Sequence, residues 1–142
     1  MLSSAKSEIC KAIYDRLSVI TYNGSAIPVF VDIASKAIGN DTLLLIYGYT
    51  DVAGGTKLRW GFNCSVNVEV RTESDDMVKH SSVVNSVKGA MHTKLNDTLE
   101  MDSFTNIVLK HPDEMQLVDL ENTGQILRTL LRYELIVEQI NT

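Results

Sequence analysis

The chain lacks any long hydrophobic run. No segment of its 142 residues approaches the roughly 20 apolar residues that a membrane-spanning helix needs, and residues 1–7 contain no apolar core of the length found in signal peptides. We therefore expect a protein that is made in the cytoplasm and does not associate with membranes. A chain of this length fits one domain, spanning residues 1–142.

Cysteine is scarce, and an excess of basic residues is absent. Cys10 and Cys64 fall at apolar positions of predicted elements, so we expect buried free thiols rather than a disulfide framework. The 13 Lys and Arg residues against 18 Asp and Glu residues give a net charge of -5. This is the wrong sign for a surface that binds phosphate backbones by releasing counterions, so we do not expect general nucleic-acid binding.

Recognisable metal sites are also absent. His80 and His92 lie on one predicted helix, but their separation in sequence corresponds to about 18 Å along the axis, which is too far for a shared metal. His111 stands alone before Pro112 in the sequence. We therefore expect surface or half-buried histidines, and we predict neither a metal nor a cofactor.

Catalytic patterns are equally hard to find. The run from Gly54 to Lys57 resembles the end of a phosphate-binding loop, but a predicted strand follows it where the motif needs a helix. The adjacent carboxylates at 75–76 and 113–114 are typical of helix caps and solvated charges. The sequence therefore predicts a protein that is not an enzyme.

What the sequence does contain is a faultless alternation over residues 60–71. A period of two places its apolar members on one face of a strand. They are Trp60, Phe62, Cys64, Val66, Val68 and Val70. A similar alternation over residues 125–139 predicts a long closing strand, with Leu127, Leu131, Tyr133, Leu135 and Val137 on its apolar face.

Two helices are predicted from apolar residues at three- and four-residue spacing. The first follows the possible caps Ser3 and Ser4 and runs toward the stop signal Asn23-Gly24. The second spans residues 74–95, with Thr72 or Ser74 as its cap and Lys94 in its last turn. Its buried stripe is predicted to be Val83, Val84, Val87, Met91 and Leu95.

Shorter elements complete the prediction. Residues 26–33 suggest an extended segment at a sheet edge, because Pro28 cannot donate to a ladder. Residues 42–50 and 105–109 read as strands, and residues 51–57 and 112–122 as loops. The fold class is therefore predicted as α+β, with two helices on one face of an antiparallel or mixed sheet of four to five strands.

The other face of the closing strand mixes apolar and charged residues. Ile126, Leu130 and Ile136 alternate there with arginines and glutamates. Such a mixture is typical of a surface covered by a partner. A solvated face with incidental apolar side chains remains the alternative.

The chain resembles the tail terminator, or tail completion, proteins of long-tailed bacteriophages. The resemblance rests on the first helix through Leu17, the segment 26–31, the strand 60–71, the helix 74–95 and the closing strand 128–137. It covers nearly the whole chain and includes no catalytic signature. The loop at 51–57 is shorter than an extended arm would require.

This resemblance implies a structural virion protein that is assembled in the host bacterial cytoplasm. Such proteins form a ring, usually of six subunits, that caps the tail tube and offers a joining surface to the neck of the head. The implied partners are further copies of the chain, the tail tube protein and the head or neck connector proteins. Genome DNA would pass through the lumen without specific binding.

The same resemblance suggests three groups of site residues. Subunit contacts are expected at Arg128, Arg132 and Glu134. A loop that contacts the tube or a neighbour is expected to include Asp51, Gly54, Gly55, Lys57 and Arg59. Acidic residues facing the lumen, where they would repel DNA, are expected to be Asp113, Glu114, Asp119 and Glu121.

Two other classes stay open on the sequence. One is a different ring component, such as a head-tail connector or a tube adaptor, with the same small α+β plan. The other is a non-viral dimeric or ligand-binding module, which would need a pocket lined by converging polar groups.

Overall fold

The computed structural model describes residues 5–32, 42–54, 60–73, 76–121 and 124–140, without the side chains of residues 119–121, 124 and 125. Within these residues, two helices and eight strands follow one another. They are α1 (Lys6–Leu17), β1 (Thr21–Tyr22), β2 (Ser25–Ala26), β3 (Val29–Val31), β4 (Thr42–Ala53), β5 (Gly61–Thr72), α2 (Met77–Met91), β6 (Phe104–Leu109), β7 (Asp113–Glu121) and β8 (Gly124–Gln139).

Six of the strands form one mixed sheet in the order β3-β4-β5-β8-β6, and β7 also pairs with β8. All its pairs are antiparallel except β3 with β4. β1 and β2 form a separate two-stranded sheet. The α+β class and the mixed sheet are therefore confirmed, and the sheet has more strands than the four to five predicted.

β8 holds the sheet together because it is shared by three neighbours. On one side it pairs with β5 from Gly61↔Glu138 to Thr72↔Leu127. On its other side, β6 pairs with the C-terminal half of β8 and β7 with the N-terminal half. β6 and β7 thus run one after the other along β8, separated by residues 110–112.

Both helices pack on one face of this sheet and enclose the core. The apolar side chains of β5 point there, and four of them are at most 2% exposed, as the alternation predicted. They are Cys64, Val66, Val68 and Val70. Trp60 differs from the prediction, since it precedes β5 and is 51% exposed. Cys10 and Cys64 are buried free thiols, which confirms that expectation.

The first helix is shorter than predicted. It ends at Leu17, and Asn23 and Gly24 form the turn between β1 and β2, with φ values of 50° and 81°. Ile20 is buried, so it continued the apolar stripe in the sequence although it lies beyond the helix. The proposed caps Ser3 and Ser4 lie outside the described residues.

The second helix is also shorter at both ends. Its N-cap is Asp76, whose Oδ1 accepts a hydrogen bond from Lys79 N at 3.0 Å, while Thr72 belongs to β5 and Ser74 lies outside the described residues. Four of the predicted buried residues are confirmed, but Leu95 follows the helix and is 86% exposed. Lys94 also lies beyond the last turn.

The segment 112–122 is not a loop. Residues 113–121 form β7, which pairs with β8 from Asp113↔Arg132 to Glu121↔Gly124. The prediction of a loop over 51–57 is wrong at its start, because β4 continues to Ala53. The strands predicted over residues 42–50, 60–71, 105–109 and 125–139 correspond to β4, β5, β6 and β8, and β3 lies at the sheet edge as expected. The short strands β1 and β2 were not predicted.

Neither helix in the described parts of the chain is long and apolar enough to cross a membrane.

Candidate functional site

The helix-free face of the sheet is the candidate site. It carries the residues of β4, β5, β8, β7 and β6 whose side chains point away from the core. Two side chains at its rim are large, apolar and more than half exposed, namely Val52 and Met115. Leu117, Val108 and Ile136 on the same face are 37–38% exposed.

A charged network occupies the centre of this face. The Glu69 side chain is 1% exposed and lies 2.8 Å from Arg128 Nη2 and 3.1 Å from Arg71 Nη2. Tyr47 also donates its hydroxyl hydrogen to Glu69 at 3.1 Å. Burial alone would raise the pKa of Glu69, but the hydrogen bond and charge of Arg128, with the charge of Arg71, hold it below its ordinary value.

The three predicted subunit-contact residues share this face, and each has an intramolecular partner. Arg128 binds Glu69, Arg132 Nη2 donates to Ser65 Oγ at 2.9 Å, and Glu134 lies 3.6 Å from Lys110 Nζ. Arg132 is the more exposed of the two arginines. Their role in a ring contact stays a prediction.

The four predicted acidic residues all belong to β7 rather than to a loop. Asp113 lies on the helix-free face opposite Arg132, whereas Glu114 lies on the helix-covered side and pairs with Lys88 of α2. These two carboxylates therefore face opposite ways. The side chains of Asp119 and Glu121 lie outside the described residues, as do Gly55, Lys57 and Arg59 of the predicted contact loop.

Asp51 and Gly54 of that predicted contact loop are described, at the end of β4. Asp51 belongs to the strand, and its Oδ2 accepts a hydrogen bond from the Tyr49 hydroxyl at 2.9 Å. Gly54 N donates to Gly61 O at 2.8 Å, which continues the β4–β5 pairing. Contact of this region with a tube or a neighbour stays a prediction.

Of the three histidines, His80 alone differs from the prediction, since His92 is half-buried and His111 is exposed. His80 is buried, with Nδ1 at 2.8 Å from Thr72 Oγ1 and Nε2 at 2.8 Å from Thr129 Oγ1. Burial lowers the pKa of His80, so it is neutral at pH 7. His111 is not isolated, because it stacks on His92 with ring centroids 4.4 Å apart.

Within the described residues, no three His, Cys, Asp or Glu side chains come together in a way that could hold a metal ion. The composition of the helix-free face is typical of surfaces that contact other proteins. It combines exposed apolar groups with guanidinium and carboxylate groups whose positions are fixed by their mutual pairing.

A solved structure has the same arrangement of elements. It is a chain of a particle described as the virion of a native gene transfer agent, and it matches with a TM-score of 0.75. The fold is similar to that of a virion chain. The match covers 96% of this chain and 99% of that chain, at 13% sequence identity, and at this identity the likeness establishes the fold alone. No family model and no curated protein matches the sequence.

The sequence analysis missed one feature in particular, the exposed apolar residues of β7. Met115 and Val118 are each 57% exposed and lie on opposite faces of that strand. A strand without a buried face leaves no alternation of apolar and polar residues to detect. The available signal was the Met-x-Leu-Val run within an acidic segment.

Proposed function

We propose that this chain is a structural protein of a phage-like virion. The likeness of its fold to a gene transfer agent virion chain, over nearly the full length of both, carries the proposal. The helix-free face supports it, because exposed apolar side chains around a paired charge network suit a surface that another protein covers.

Within that class, the proposed role is that of a tail terminator. Copies of the chain would form a ring, usually of six subunits, that ends tail polymerisation and joins the tail to the head or neck. A head-to-tail interface that closes into a ring leaves one surface above and another below. One surface would then contact the last ring of tube protein, and the other would contact the connector.

The acidic residues of β7 have a proposed role in the lumen. Carboxylates there would repel the passing genome and keep it mobile. Asp113 is the described candidate on the helix-free face. Its replacement by lysine is expected to slow DNA ejection from assembled particles without preventing assembly, and unchanged ejection kinetics would count against this role.

The deciding experiment measures the mass of the purified chain by light scattering over a range of concentrations. Negative-stain imaging of the assemblies follows. A discrete ring of about six subunits is expected, because a head-to-tail interface whose rotation closes generates a ring. A monomer or a dimer at every concentration, with no ring in the images, would contradict the terminator role.

A further inference from the structure

β7 is a long edge strand with one unpaired side. Among the described residues it pairs with β8 alone, over the nine positions Asp113–Glu121. Edge strands of this length are normally protected by charged side chains, lysine above all, by proline, by a bulge or by a covering element, because they can pair with another chain. The charged residues of β7 are all acidic. Residues 113–121 contain neither lysine nor arginine nor proline, and their register with β8 shows no bulge.

The directions of the backbone groups along β7 follow from two hydrogen bonds of β8. Gln139 N donates to Trp60 O beside β5, so the backbone N–H and C=O groups of odd-numbered residues of β8 point toward β5. Lys110 N donates to Glu134 O, so the backbone N–H and C=O groups of even-numbered residues of β8 point toward β6 and β7. The register of β7 then directs the N–H and C=O groups of Gln116 and Val118 away from the sheet.

The opposite end of the sheet offers a second unpaired edge. Among the described residues, β3 pairs with β4 alone. Leu44 N donates to Pro28 O and Asp32 N donates to Ile46 O, so Val29 and Val31 direct their backbone groups outward.

A groove of about 710 Å³ lies beside this second edge, between α1 and β3. It is bounded on the sheet side by Val31 and Asp32 and on the helix side by Cys10, Tyr14, Lys6 and Lys11. The groove is thus apolar at its base, and the lysines at its rim have acidic partners, since Lys6 pairs with Asp32 and Lys11 with Asp15. β7 suits the apolar base of this groove, because Val118 points to the helix-covered side of the sheet and is 57% exposed.

Charge distinguishes two ways in which copies of the chain can pair through β7. The partner of β7 is either the β7 edge or the β3 edge of the second copy. An antiparallel pair of two β7 strands centred on Leu117 would place Asp113 opposite Glu121, and like charges directly opposite one another destabilise a sheet. β3 carries no charged residue over Val29–Val31. Pairing of β7 with β3 avoids the repulsion.

We propose that the β7 edge of one copy pairs with the β3 edge of a second copy, which places Val118 and Gln116 at the groove between α1 and β3. Val118 and Gln116 lie on the helix-covered side of the sheet, as the groove does, so both helix layers stay on one side of a continuous sheet. The contact is head-to-tail, as the ring in the proposed function requires, and the inference rests on that function.

The first test removes one outward backbone donor. Gln116→Pro deletes an N–H that β8 does not use, while Gln116→Ala keeps it and serves as the matched control. Loss of edge hydrogen bonds is expected to weaken association about tenfold in Gln116→Pro and hardly at all in Gln116→Ala. Light scattering measures association, and circular dichroism establishes that both variants are folded.

The second test uses charge in the groove. Val118→Lys brings a cation toward Lys11 of the neighbouring copy and is expected to weaken association more than tenfold. Adding Lys11→Glu to the same chain is expected to restore most of the lost association. Val78→Lys is the control, because Val78 on α2 is 76% exposed and takes no part in either edge.

The outcomes separate this inference from the proposed function. Rings that persist unchanged in Gln116→Pro and Val118→Lys would overturn the edge pairing and leave the terminator role standing. Open chains of subunits that depend on Gln116 and Val118 would support the pairing and contradict the closed ring. A wild-type chain that remains monomeric at every concentration would overturn the pairing.

Discussion

The strands β5 and β8 bury polar groups on both faces, in two different ways. Under the helices, His80 joins Thr72 and Thr129 through neutral hydrogen bonds. On the helix-free face, Glu69 is buried by the arginines that neutralise it. Beneath the helices these strands therefore bury neutral polar groups, whereas on the helix-free face they bury a network of paired charges.

The largest expected difference between the faces lies in adjacent residues of β8. Leu131 is fully buried under the helices, and its neighbour Leu130 is half-buried on the opposite face. Leu131→Ala is expected to lower the free energy of unfolding by about 3 kcal/mol, and Leu130→Ala by about 1 kcal/mol or less. Urea unfolding measures both, and equal losses would show that the helix-free face is packed like a core.

The charged network gives the next largest effect. Glu69→Gln keeps the shape but leaves two guanidinium groups without their anion, which is expected to cost about 2 kcal/mol at pH 7. The pKa of Glu69 is lowered by folding, so its contribution is present above the unfolded pKa and is lost as pH falls through the folded pKa. Unfolding curves of the variant should therefore vary less with pH below about 5.

The matched control for Glu69 is Glu134→Gln. The carboxylate of Glu134 is half exposed and pairs with Lys110, so a change of at most about 0.5 kcal/mol is expected. A comparable loss in both variants would mean that burial does not distinguish the two glutamates.

The neutral cluster is expected to respond to pH in the same direction for a different reason. Burial lowers the pKa of His80, so below the ordinary value near 6.5 the unfolded chain binds more protons than the folded one. Stability should fall by up to about 1.4 kcal/mol for each pH unit below that value. In His80→Gln this slope should be missing, and a wild-type His80 ring resonance that titrates normally by NMR would refute the explanation.

The smallest effect on folding is expected at Arg132, which is exposed and binds Ser65. Arg132→Glu should change the free energy of unfolding by less than about 0.5 kcal/mol. If Arg132 lies in the ring contact, the same change should shift the assembly toward monomer in sedimentation. A variant that still sediments as a ring would remove Arg132 from that contact.

Burial patterns explain which elements the sequence predicted. β5 and β8 each have one buried face, and the alternation of apolar and polar residues predicted their bounds to within about one residue. β7 has no dry face and is held by its backbone pairing to β8, so its sequence resembled a polar loop. Both helices were predicted, but they were extended too far at their C-terminal ends. Ile20 is buried and Leu95 is exposed, and each continues the apolar spacing of a helix although it lies beyond the end of that helix.

The candidate site was predicted less completely. The sequence placed Arg128, Arg132 and Glu134 together on one face of a strand, and they lie there. It could not reveal that Arg128 reaches Glu69 on β5, because that contact joins residues 59 positions apart. It also could not reveal the partners of His80, whose ring connects α2 to Thr72 of β5 and Thr129 of β8.

The pairing of β5 with β8 also has a consequence for the speed of folding. Every rung between these two central strands joins residues more than 50 positions apart. Closing such long loops before any rung forms is entropically costly, and chains dominated by non-local pairs typically fold in milliseconds to seconds. Until β8 docks, β5 exposes a long apolar strand, so the newly made chain is expected to depend on chaperones more than its small size suggests.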